Sequence, residues 1–424
     1  MPPWISHTIW WHLYPLGFTG APIRPADEAE RALQPRLDQL LPWLDYLRDL
    51  GANGLALCPI FQSNTHGYDT TDFFRLDSRL GDDAAFDRLV AGCRARGLHL
   101  MLDGVFNHVG HVHPLFLQAM QGDPAAERMF RITRHDDGRI DYADFEGHQQ
   151  LPAFNHEVDE VAELVIDVMC HWLGRGASAW RLDAAYAVPP RFWRRVLPTV
   201  RERFPEAWFV GEMIHGDYSH YVHESGLDAV TQYDLWHAIW SSLAEGDFSE
   251  LDACLQRQND TLNDFTPMSF IGNHDVIRLA TRLGNARTAL AHVILLTVGG
   301  IPSIYYGDEQ LMRGDKGTGD STDDPLRPAF PAHPADLPPE NGWMYQLVQQ
   351  LCHIRHQHPW LCTARTRALH LDRRHYSWLA EGAHEGEHLK TTLLLDPTPR
   401  ALIEHGDQVL LDVSPPPDAG WRVS

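Results

Sequence analysis

The stretch Trp180-Arg181-Leu182-Asp183-Ala184-Ala185 places a guanidinium two residues before a carboxylate in an otherwise apolar setting. Residues two apart on a β-strand point to the same face, so Arg181 and Asp183 would project together from one strand end. A guanidinium in this position favours the ionised carboxylate and holds it in one orientation. The pattern therefore suits a carboxylate nucleophile, although a structural Arg–Asp pair in a sheet would show the same spacing.

Apolar segments that predict buried strands lie on both sides of this stretch and alternate with segments of helical period. The predicted strands cover residues 9–15, 54–59, 98–108, 177–183, 208–212, 227–230, 268–275 and 300–307. The predicted helices cover residues 37–50, 83–96, 158–174, 189–204, 235–255, 286–297 and 343–356. Eight strands alternating with helices favour a parallel α/β protein of the closed (β/α)8 TIM-barrel type. The absence of GxGxxG near the first strand argues against a dinucleotide-binding fold.

Two parts of the chain depart from this alternation. Residues 109–157 are rich in His, Asp, Gly and Pro and show no lasting period, which predicts an inserted loop domain after the third strand. Residues 361–424 contain short alternating patterns separated by turn residues, which predicts a small C-terminal all-β domain. The barrel itself would then comprise residues 1–108 and 158–360.

The composition narrows the range of partners and compartments. With 57 acidic residues against 35 Lys and Arg, the formal net charge is −22, which argues against nucleic-acid and membrane partners. The six cysteines show no CxxC spacing, which predicts reduced thiols and argues against structural zinc. The N-terminus lacks the features of a secretory signal, and the apolar run from Ala289 to Val298 is too short to span a bilayer. We therefore expect a cytoplasmic protein, whereas the oligomeric state stays open.

Four carboxylates end four different predicted strands: Asp103, Asp183, Glu212 and Asp275. In a closed barrel these strand ends meet at one mouth, although they are far apart in sequence. Converging carboxylates favour either glycoside chemistry or a divalent metal site. Metal hydrolases usually add closely spaced His ligands, and the HxH at residues 111–113 lies in the inserted segment rather than at a strand end. This placement disfavours the metal alternative.

Four segments, in this order and strand context, resemble the signature segments of the α-amylase family of retaining glycoside hydrolases. They are Asp103-Gly104-Val105-Phe106-Asn107-His108, Arg181-Leu182-Asp183-Ala184-Ala185, Gly211-Glu212 and Asn273-His274-Asp275. Weaker family-like segments lie at residues 51–59, 67–69 and 300–309. The resemblance covers roughly residues 5–360. It implies a barrel enzyme that acts on an oligosaccharide and requires no cofactor.

The resemblance implies a role for each matched side chain. Asp183 resembles the nucleophile that forms a covalent glycosyl-enzyme, and Arg181 resembles the residue that orients it. Glu212 resembles the general acid/base, which has to be protonated before the bond is cleaved. Asp275 resembles the third carboxylate, which binds sugar hydroxyls and helps to stabilise the oxocarbenium-like transition state. Three further residues resemble groups that contact the sugar in the cleavage subsite, namely His108 and His274 as hydrogen-bond donors and Tyr68 as a stacked ring.

Other positions have secondary implications. Asp103 would support Arg181 rather than react with the substrate. Asn107 corresponds to a calcium ligand in many family members, so a structural calcium stays open with Asn107 as its candidate ligand. Asp324 and Arg327 resemble a substrate clamp of the neopullulanase-like members, although a solvated pair of loop charges would show the same sequence.

Two segments favour one group within the family. Residues 103–108 and Leu151-Pro152-Ala153-Phe154-Asn155 are most similar to the neopullulanase and cyclomaltodextrinase group. Ile214 stands where that group has Trp, and Ala185-Tyr186 replaces the Lys-His pair of many endo-amylases, so linkage and acceptor preference stay open. The resemblance implies retaining cleavage of α-glucosidic bonds in malto-oligosaccharides, cyclomaltodextrins or related short α-glucans. The alternatives are an α-glucan transglycosylase on the same scaffold and a non-catalytic sugar-binding barrel.

Overall fold

The centre of the molecule is a sheet of eight parallel strands, named β1 to β8 in chain order. The computed structural model describes residues 1–416, so the last part of the predicted C-terminal domain, residues 417–424, lies outside the described residues. The eight strands are Trp10–Leu13, Gly54–Leu57, His99–Gly104, Ala179–Leu182, Trp208–Gly211, Ala229–Val230, Met268–Phe270 and Ile301–Tyr305.

Each strand pairs with its neighbour in the chain, in the order β6-β5-β4-β3-β2-β1-β8-β7. Thr231, directly after β6, pairs in parallel with Met268 at the start of β7, and this bridge closes the sheet into a barrel. The predicted (β/α)8 barrel is therefore confirmed. The domain boundaries drawn at residues 108, 157 and 360 stay predictions.

Helices, named α1 to α12, connect the strands and flank the barrel. They are Pro15–Phe18, Trp43–Leu50, Asp83–Ala95, Pro114–Met120, Pro124–Arg128, Asp159–Gly174, Pro190–Arg203, Tyr218–Ser225, Tyr233–Glu245, Ser249–Thr261, Leu279–Thr297 and Gly342–Gln357. The helix predicted at 37–50 is divided near Pro42 into a 3-10 helix and α2, because proline restricts the residue before it and donates no hydrogen bond. The helix predicted at 235–255 is divided at Gly246, whose φ of 68° ends α9. Within residues 1–416, none of these helices combines the length and apolar character that crossing a membrane requires.

The register of the strands arranges the inward side chains in layers. Asp103 on β3 is paired with Arg181 on β4, so both side chains lie in one layer near the carboxyl ends of the strands. Lower in the barrel, the buried rings of Trp10 and Trp208 stack with their centroids 6.1 Å apart. The barrel is therefore filled by apolar rings at its base and carries polar groups at its mouth, where barrel folds build their sites.

Two irregular regions contribute side chains to the mouth of the barrel. After β2 the chain forms an antiparallel hairpin that the sequence did not predict, and Tyr68 lies in its loop; its strands are Phe61–Ser63 and Thr70–Leu76. The inserted segment contains α4, α5 and two short antiparallel pairs, Ile132–Arg134 with Ile140–Tyr142 and Asp144–Phe145 with His148–Pro152. A bridge between His108 and Ala153 joins the end of this segment to the chain just after β3.

The predicted C-terminal all-β domain is confirmed as an antiparallel sheet of five consecutive strands. These strands, β9 to β13, are Arg365–Leu371, His375–Glu381, His388–Leu394, Arg400–His405 and Gln408–Val413. The sequence did not predict β12 and β13 individually. The sheet contacts the barrel through α10, where the hydroxyl of Tyr376 donates to Asp252 at 2.9 Å.

The stacked tryptophans at the base of the barrel provide a test of the packing. Trp208→Ala should lower the free energy of unfolding by about 3–5 kcal/mol, because it leaves a cavity among rings that cannot collapse onto it. Urea unfolding followed by circular dichroism would measure the shift in midpoint. Leu369→Ala, at a side chain that is 45% exposed on β9, is the matched control and should change stability by less than about 0.5 kcal/mol. Equal shifts for the two variants would contradict the placement of Trp208 in the closely packed base of the barrel.

Candidate active site

Arg181 is the centre of a buried cluster of carboxylates at the mouth of the barrel. Its Nη1 donates to both carboxylate oxygens of Asp103, at 2.8 and 2.7 Å, and to Asp183 Oδ1 at 2.9 Å. Its Nη2 lies 2.5 Å from Glu212 Oε1. All four side chains are more than nine-tenths buried. The structure thus brings together the residues predicted as nucleophile, acid/base and orienting group.

The backbone between β4 and the following turn holds two of these carboxylates in place. Ala184 adopts a left-handed conformation with φ of 46°, which costs a residue with a Cβ about 1–2 kcal/mol. In this conformation its backbone N–H donates to Glu212 Oε2 at 3.0 Å. The residue that follows Asp183 therefore orients Glu212, and the two candidate catalytic groups are positioned by one short segment.

Glu212 has a further partner that the sequence did not predict as a site residue. The hydroxyl of Tyr233, at the start of α9, donates to Glu212 Oε1 at 3.2 Å. Asn273 Nδ2 donates to the Tyr233 oxygen at 2.9 Å, which leaves the hydroxyl hydrogen free for Glu212. Asn273 Oδ1 in turn accepts from the backbone N–H of Asp275 at 2.9 Å. A chain of hydrogen bonds therefore connects the second carboxylate to the third.

Asp275 lies between two cationic side chains. Its Oδ2 is 3.0 Å from His274 Nε2, and its Oδ1 accepts from Arg327 Nη2 at 3.1 Å. The Asp275 side chain is 37% exposed, so it faces the opening far more than the other three carboxylates do. Tyr68 joins this group to the Arg181 cluster, because its hydroxyl donates to Asp103 Oδ2 at 3.1 Å and lies 2.5 Å from His274 Nε2.

His108 and Asn107, which follow β3, are both buried. His108 Nε2 lies 3.0 Å from the Tyr68 carbonyl oxygen, and its Nδ1 lies 3.1 Å from Asn107 Nδ2. The His108 ring also stacks on Phe145 of the inserted segment, with centroids 4.7 Å apart. Calcium takes about six to eight oxygen ligands. The Nδ2 atom of Asn107 contacts an imidazole, so Oδ1 is the amide atom that could bind a calcium ion, and a structural calcium at Asn107 stays a prediction.

The two residues predicted as a clamp on the last loop have different surroundings. Arg327 donates from Nε to the His274 carbonyl oxygen at 3.1 Å, and its guanidinium lies 4.6 Å from the ring centroid of Tyr14. Asp324 forms an ion pair with Arg24, on the segment that follows β1. Arg327 is therefore part of the Asp275 group, whereas Asp324 fixes the loop to another part of the mouth.

The electrostatics differ between the two carboxylate groups. Burial raises the pKa of Asp183, and the neighbouring carboxylates of Glu212 and Asp103 add to this effect, while Arg181 opposes it. Burial likewise raises the pKa of Asp103, although Arg181 opposes it, so the removal of water around Arg181 favours the retention of a proton by Asp103 or Asp183. A site that holds both a proton and an ionised carboxylate can supply an acid and a nucleophile together.

The group formed by Asp275, His274 and Arg327 combines opposite charges. Burial alone would lower the pKa of His274, but the carboxylate of Asp275 and the nearby Cys58 together raise it to about 10. Burial opposes ionisation of Asp275 as well, yet His274 and Arg327 hold the pKa of Asp275 well below its ordinary value. His108 differs, because burial lowers its pKa to about 3 and keeps its ring neutral.

Sequence reasoning missed the residues that position the catalytic groups. Tyr233 lies two residues before the helix predicted at 235–255, and Asn273 lies within a signature segment but was given no role. The left-handed φ of Ala184 leaves no mark in the sequence. For Asn273, the one signal in the sequence was its position directly before His274 and Asp275.

Together, the fold and the site define an eight-stranded barrel whose mouth holds a guanidinium-bridged pair of carboxylates and a third carboxylate beside them. Residues 37–336 match the family described as Alpha amylase, catalytic domain. A cyclomaltodextrinase of Geobacillus thermopakistaniensis (strain MAS1) is 29% identical over 383 residues, which are 84% of this chain and 63% of the relative. Neopullulanase 2 of Thermoactinomyces vulgaris is 29% identical over 399 residues, which are 88% of this chain and 66% of the relative.

A solved structure agrees with these relatives. The ligand-free cyclic α-maltosyl-(1→6)-maltose hydrolase from Arthrobacter globiformis matches with a TM-score of 0.79 and 26% identity, over 93% of this chain and 92% of that one. The chain therefore belongs to the α-amylase family. The predicted resemblance, including the similarity to the cyclomaltodextrinase and neopullulanase group, is confirmed. The chain spans 63% and 66% of the two curated relatives.

The charged pair at the mouth predicts a pH dependence of stability. The raised pKa of His274 stabilises the fold fully below its ordinary value of 6.5, and this contribution is lost as the pH rises through about 10. The lowered pKa of Asp275 gives a contribution that is present above 3.8 and is lost as the pH falls below it. The difference in melting temperature between the wild type and His274→Gln should therefore be largest between these two ordinary values.

Scanning fluorimetry across this pH range would measure that difference, which should shrink steadily toward pH 10. His237→Gln, which removes an imidazole that is half-exposed on α9, is the matched control. A difference that stays constant from pH 6.5 to 10 would contradict the ion pair between His274 and Asp275.

Proposed function

We propose that the protein is a retaining glycoside hydrolase that cleaves α-glucosidic bonds in malto-oligosaccharides, cyclomaltodextrins or related short α-glucans. The main observation behind this proposal is that Asp183 and Glu212 both contact the guanidinium of Arg181. Retaining glycosidases use two neighbouring carboxyl groups, one as nucleophile and one as acid/base. The similarity to a cyclomaltodextrinase and to a neopullulanase supports the substrate class.

In the first step, Asp183 attacks the anomeric carbon of the sugar. Arg181 binds Oδ1 of Asp183, so Oδ2 is the oxygen that is available for attack. Glu212 donates its proton to the glycosidic oxygen, the carbon–oxygen bond breaks, and the leaving sugar departs with that proton. The product of this step is a covalent glycosyl-enzyme on Asp183.

In the second step, the ionised Glu212 removes a proton from water, and the resulting nucleophile attacks the anomeric carbon. The bond to Asp183 breaks and its carboxylate returns to Arg181. The N–H of Ala184 and the hydroxyl of Tyr233 hold Glu212 in the same place through both steps. The fixed position matters because the same oxygen atoms have to serve first as acid and then as base.

The Asp275 group would bind the sugar whose bond is cleaved. Asp275 is the carboxylate most exposed to the opening, and His274 and Arg327 keep it ionised, so it can accept hydrogen bonds from sugar hydroxyls. Tyr68 would stack against the sugar ring, with its hydroxyl held by Asp103. We also assign His108 to this subsite, at its boundary with the inserted segment.

The loop that carries Asp324 and Arg327 would close one side of the substrate cleft. Arg327 acts through Asp275, whereas Asp324 would hold the loop in place through its ion pair with Arg24. The six cysteines are free in the part of the chain that the structure describes, and this supports our proposal of a cytoplasmic location.

A second candidate function is net transglycosylation, in which a sugar hydroxyl replaces water in the second step. The acceptor side favours it, because Ile214 presents a side chain that is 41% exposed just after Glu212. Tyr186 follows Asp183 by three residues, and its hydroxyl donates to Glu146 of the inserted segment at 2.9 Å. The Tyr186–Glu146 pair would border the acceptor side of the cleft. An apolar surface bordered by this pair favours binding of a second sugar over water.

The catalytic assignment predicts large losses of activity. Asp183→Asn and Glu212→Gln should each reduce hydrolysis of maltotriose by several orders of magnitude, because one loses the nucleophile and the other loses the acid/base. On an aryl glycoside with a good leaving group, Glu212→Gln should lose less in the first step, since such a group departs without protonation. Asp183→Asn should lose activity on both substrates.

Asp159→Asn, at a side chain that is 85% exposed, serves as the matched control and should keep the wild-type rate. Circular dichroism and melting temperatures would verify that each variant is folded. A rate close to that of the wild type in folded Asp183→Asn or Glu212→Gln would overturn the proposal.

The balance between hydrolysis and transfer can be measured with maltotriose as the sole substrate. Products longer than the substrate indicate transfer, whereas glucose and maltose alone indicate hydrolysis. Tyr186→Phe removes the hydrogen bond to Glu146 and should change the transfer-to-hydrolysis ratio by at least about twofold, in keeping with the loss of one hydrogen bond. The same ratio in Tyr186→Phe and wild type would show that the Tyr186–Glu146 hydrogen bond does not determine whether water or a sugar accepts the glycosyl group.

A further inference from the structure

Three side chains with metal-binding atoms meet beside the proposed subsite, and none of them is a proposed reactant. They are His12 on β1, Cys58 just after β2 and His274 just after β7. His12 Nε2 lies 3.1 Å from Cys58 Sγ. One donor atom from each of the three side chains lies within 4.8 Å of the other two. This is the spacing that a single bound ion requires after small side-chain adjustments.

One of the donor atoms lacks a partner. Nε2 of His274 is occupied by Tyr68 and Asp275, whereas its Nδ1 is buried and has no hydrogen-bond partner within residues 1–416. A buried nitrogen without a partner is costly, and its presence next to a thiol and a second imidazole indicates a ligand rather than a packing requirement. His274 therefore has one ring nitrogen directed to the sugar subsite and one available to an ion.

A small cavity lies beside His12 and His274. This cavity of about 30 Å³, lined in part by His12 and His274, lies beneath Arg181 and Glu212 and can hold a water molecule as a fourth ligand. Arg181 and Glu212 of the carboxylate cluster line the same cavity, and the His12 side chain keeps 8% exposure.

We propose that His12, Cys58 and His274 form an inhibitory site for a thiophilic divalent cation, with Zn²⁺ as the reference ion. Two imidazole nitrogens and one thiolate are a donor set that Zn²⁺ binds in tetrahedral geometry, with a water in the fourth position. The ion takes the place of two protons, the thiol proton of Cys58 and the Nδ1 proton of the cationic His274 ring, and both are released to solvent. Because these ligands are widely separated in the chain, no spacing motif in the sequence could reveal them.

Inhibition follows from the second role of His274. An ion on Nδ1 turns the ring toward Cys58 and weakens the contacts of Nε2 with Tyr68 and Asp275, which the proposed sugar-binding role requires. This consequence rests on the proposed function, whereas binding of the ion does not. Binding and inhibition therefore have to be measured separately.

The chain offers a matched control for metal binding elsewhere. The other group of His, Cys, Asp and Glu side chains that could share an ion in residues 1–416 lies at the turn between β9 and β10 and consists of His370, Asp372 and His375. The side chains of this group make hydrogen bonds and ring contacts with one another and with Arg374 and Ser377 of the C-terminal domain. An ion bound there should not affect catalysis.

Binding is tested with the full chain, first treated with EDTA and then titrated with Co²⁺, whose thiolate complexes absorb in the near ultraviolet. The thiolate-to-cobalt band should appear in the wild type and in His370→Ala and be absent in Cys58→Ser. This readout does not depend on activity, so failure of the proposed hydrolase function would leave it unchanged. The same band in Cys58→Ser would overturn the site, as would its absence in the wild type.

Inhibition is tested by adding ZnCl2 to each protein and measuring maltotriose hydrolysis relative to its own zinc-free rate. Zinc should reduce the wild-type and His370→Ala rates at least tenfold, with recovery on addition of EDTA, and the inhibition constant of Cys58→Ser should rise at least tenfold, as expected when a thiolate ligand is lost. His12→Gln provides a second variant if Cys58→Ser does not fold. Equal inhibition of wild type and both folded variants would overturn the proposal.

Discussion

The buried guanidinium of Arg181 is the interaction on which the site depends. Three carboxylates surround it with little water, and an unpaired charge in such a place costs several kcal/mol. Arg181 offsets this cost because its planar fork reaches Asp103 and Asp183 through one nitrogen and Glu212 through the other. A lysine has a single charged centre and could not hold three carboxylates in separate directions. Asp103 thus helps to hold the guanidinium that contacts Asp183 and Glu212, and we expect it to support catalysis only through Arg181.

A second group of charges repeats this balance nearer to the opening, with Asp275 between His274 and Arg327. Tyr68 connects the two groups, since its hydroxyl contacts both Asp103 and His274. A change in either group is therefore transmitted to the other through one hydroxyl. Through this connection, an ion at the site proposed beside His274 would affect the proposed nucleophile Asp183, which directly follows β4.

The barrel and its carboxylates could be predicted from sequence because both depend on local patterns. Asp103, Asp183, Glu212 and Asp275 follow apolar strand segments, and parallel strand ends meet in any closed barrel. The positioning contacts could not be predicted in this way. The donation from Tyr233 to Glu212 depends on how the first turn of α9 packs against the mouth, which helical periodicity does not specify. Breaks in helices, such as that at Gly246, likewise depend on a single residue that is also tolerated within helices.

The two sides of the site differ in how they are held. The side that would bind the cleaved sugar is built from buried ion pairs on strand ends, where a shift of one group leaves a charge without its partner. The acceptor side is built from loops, with the exposed Ile214 and the contact between Tyr186 and Glu146 of the inserted segment. Substitutions on that side change surface contacts and do not uncover buried charge. Acceptor and linkage preference can therefore vary on this scaffold while the arrangement around Arg181 stays the same.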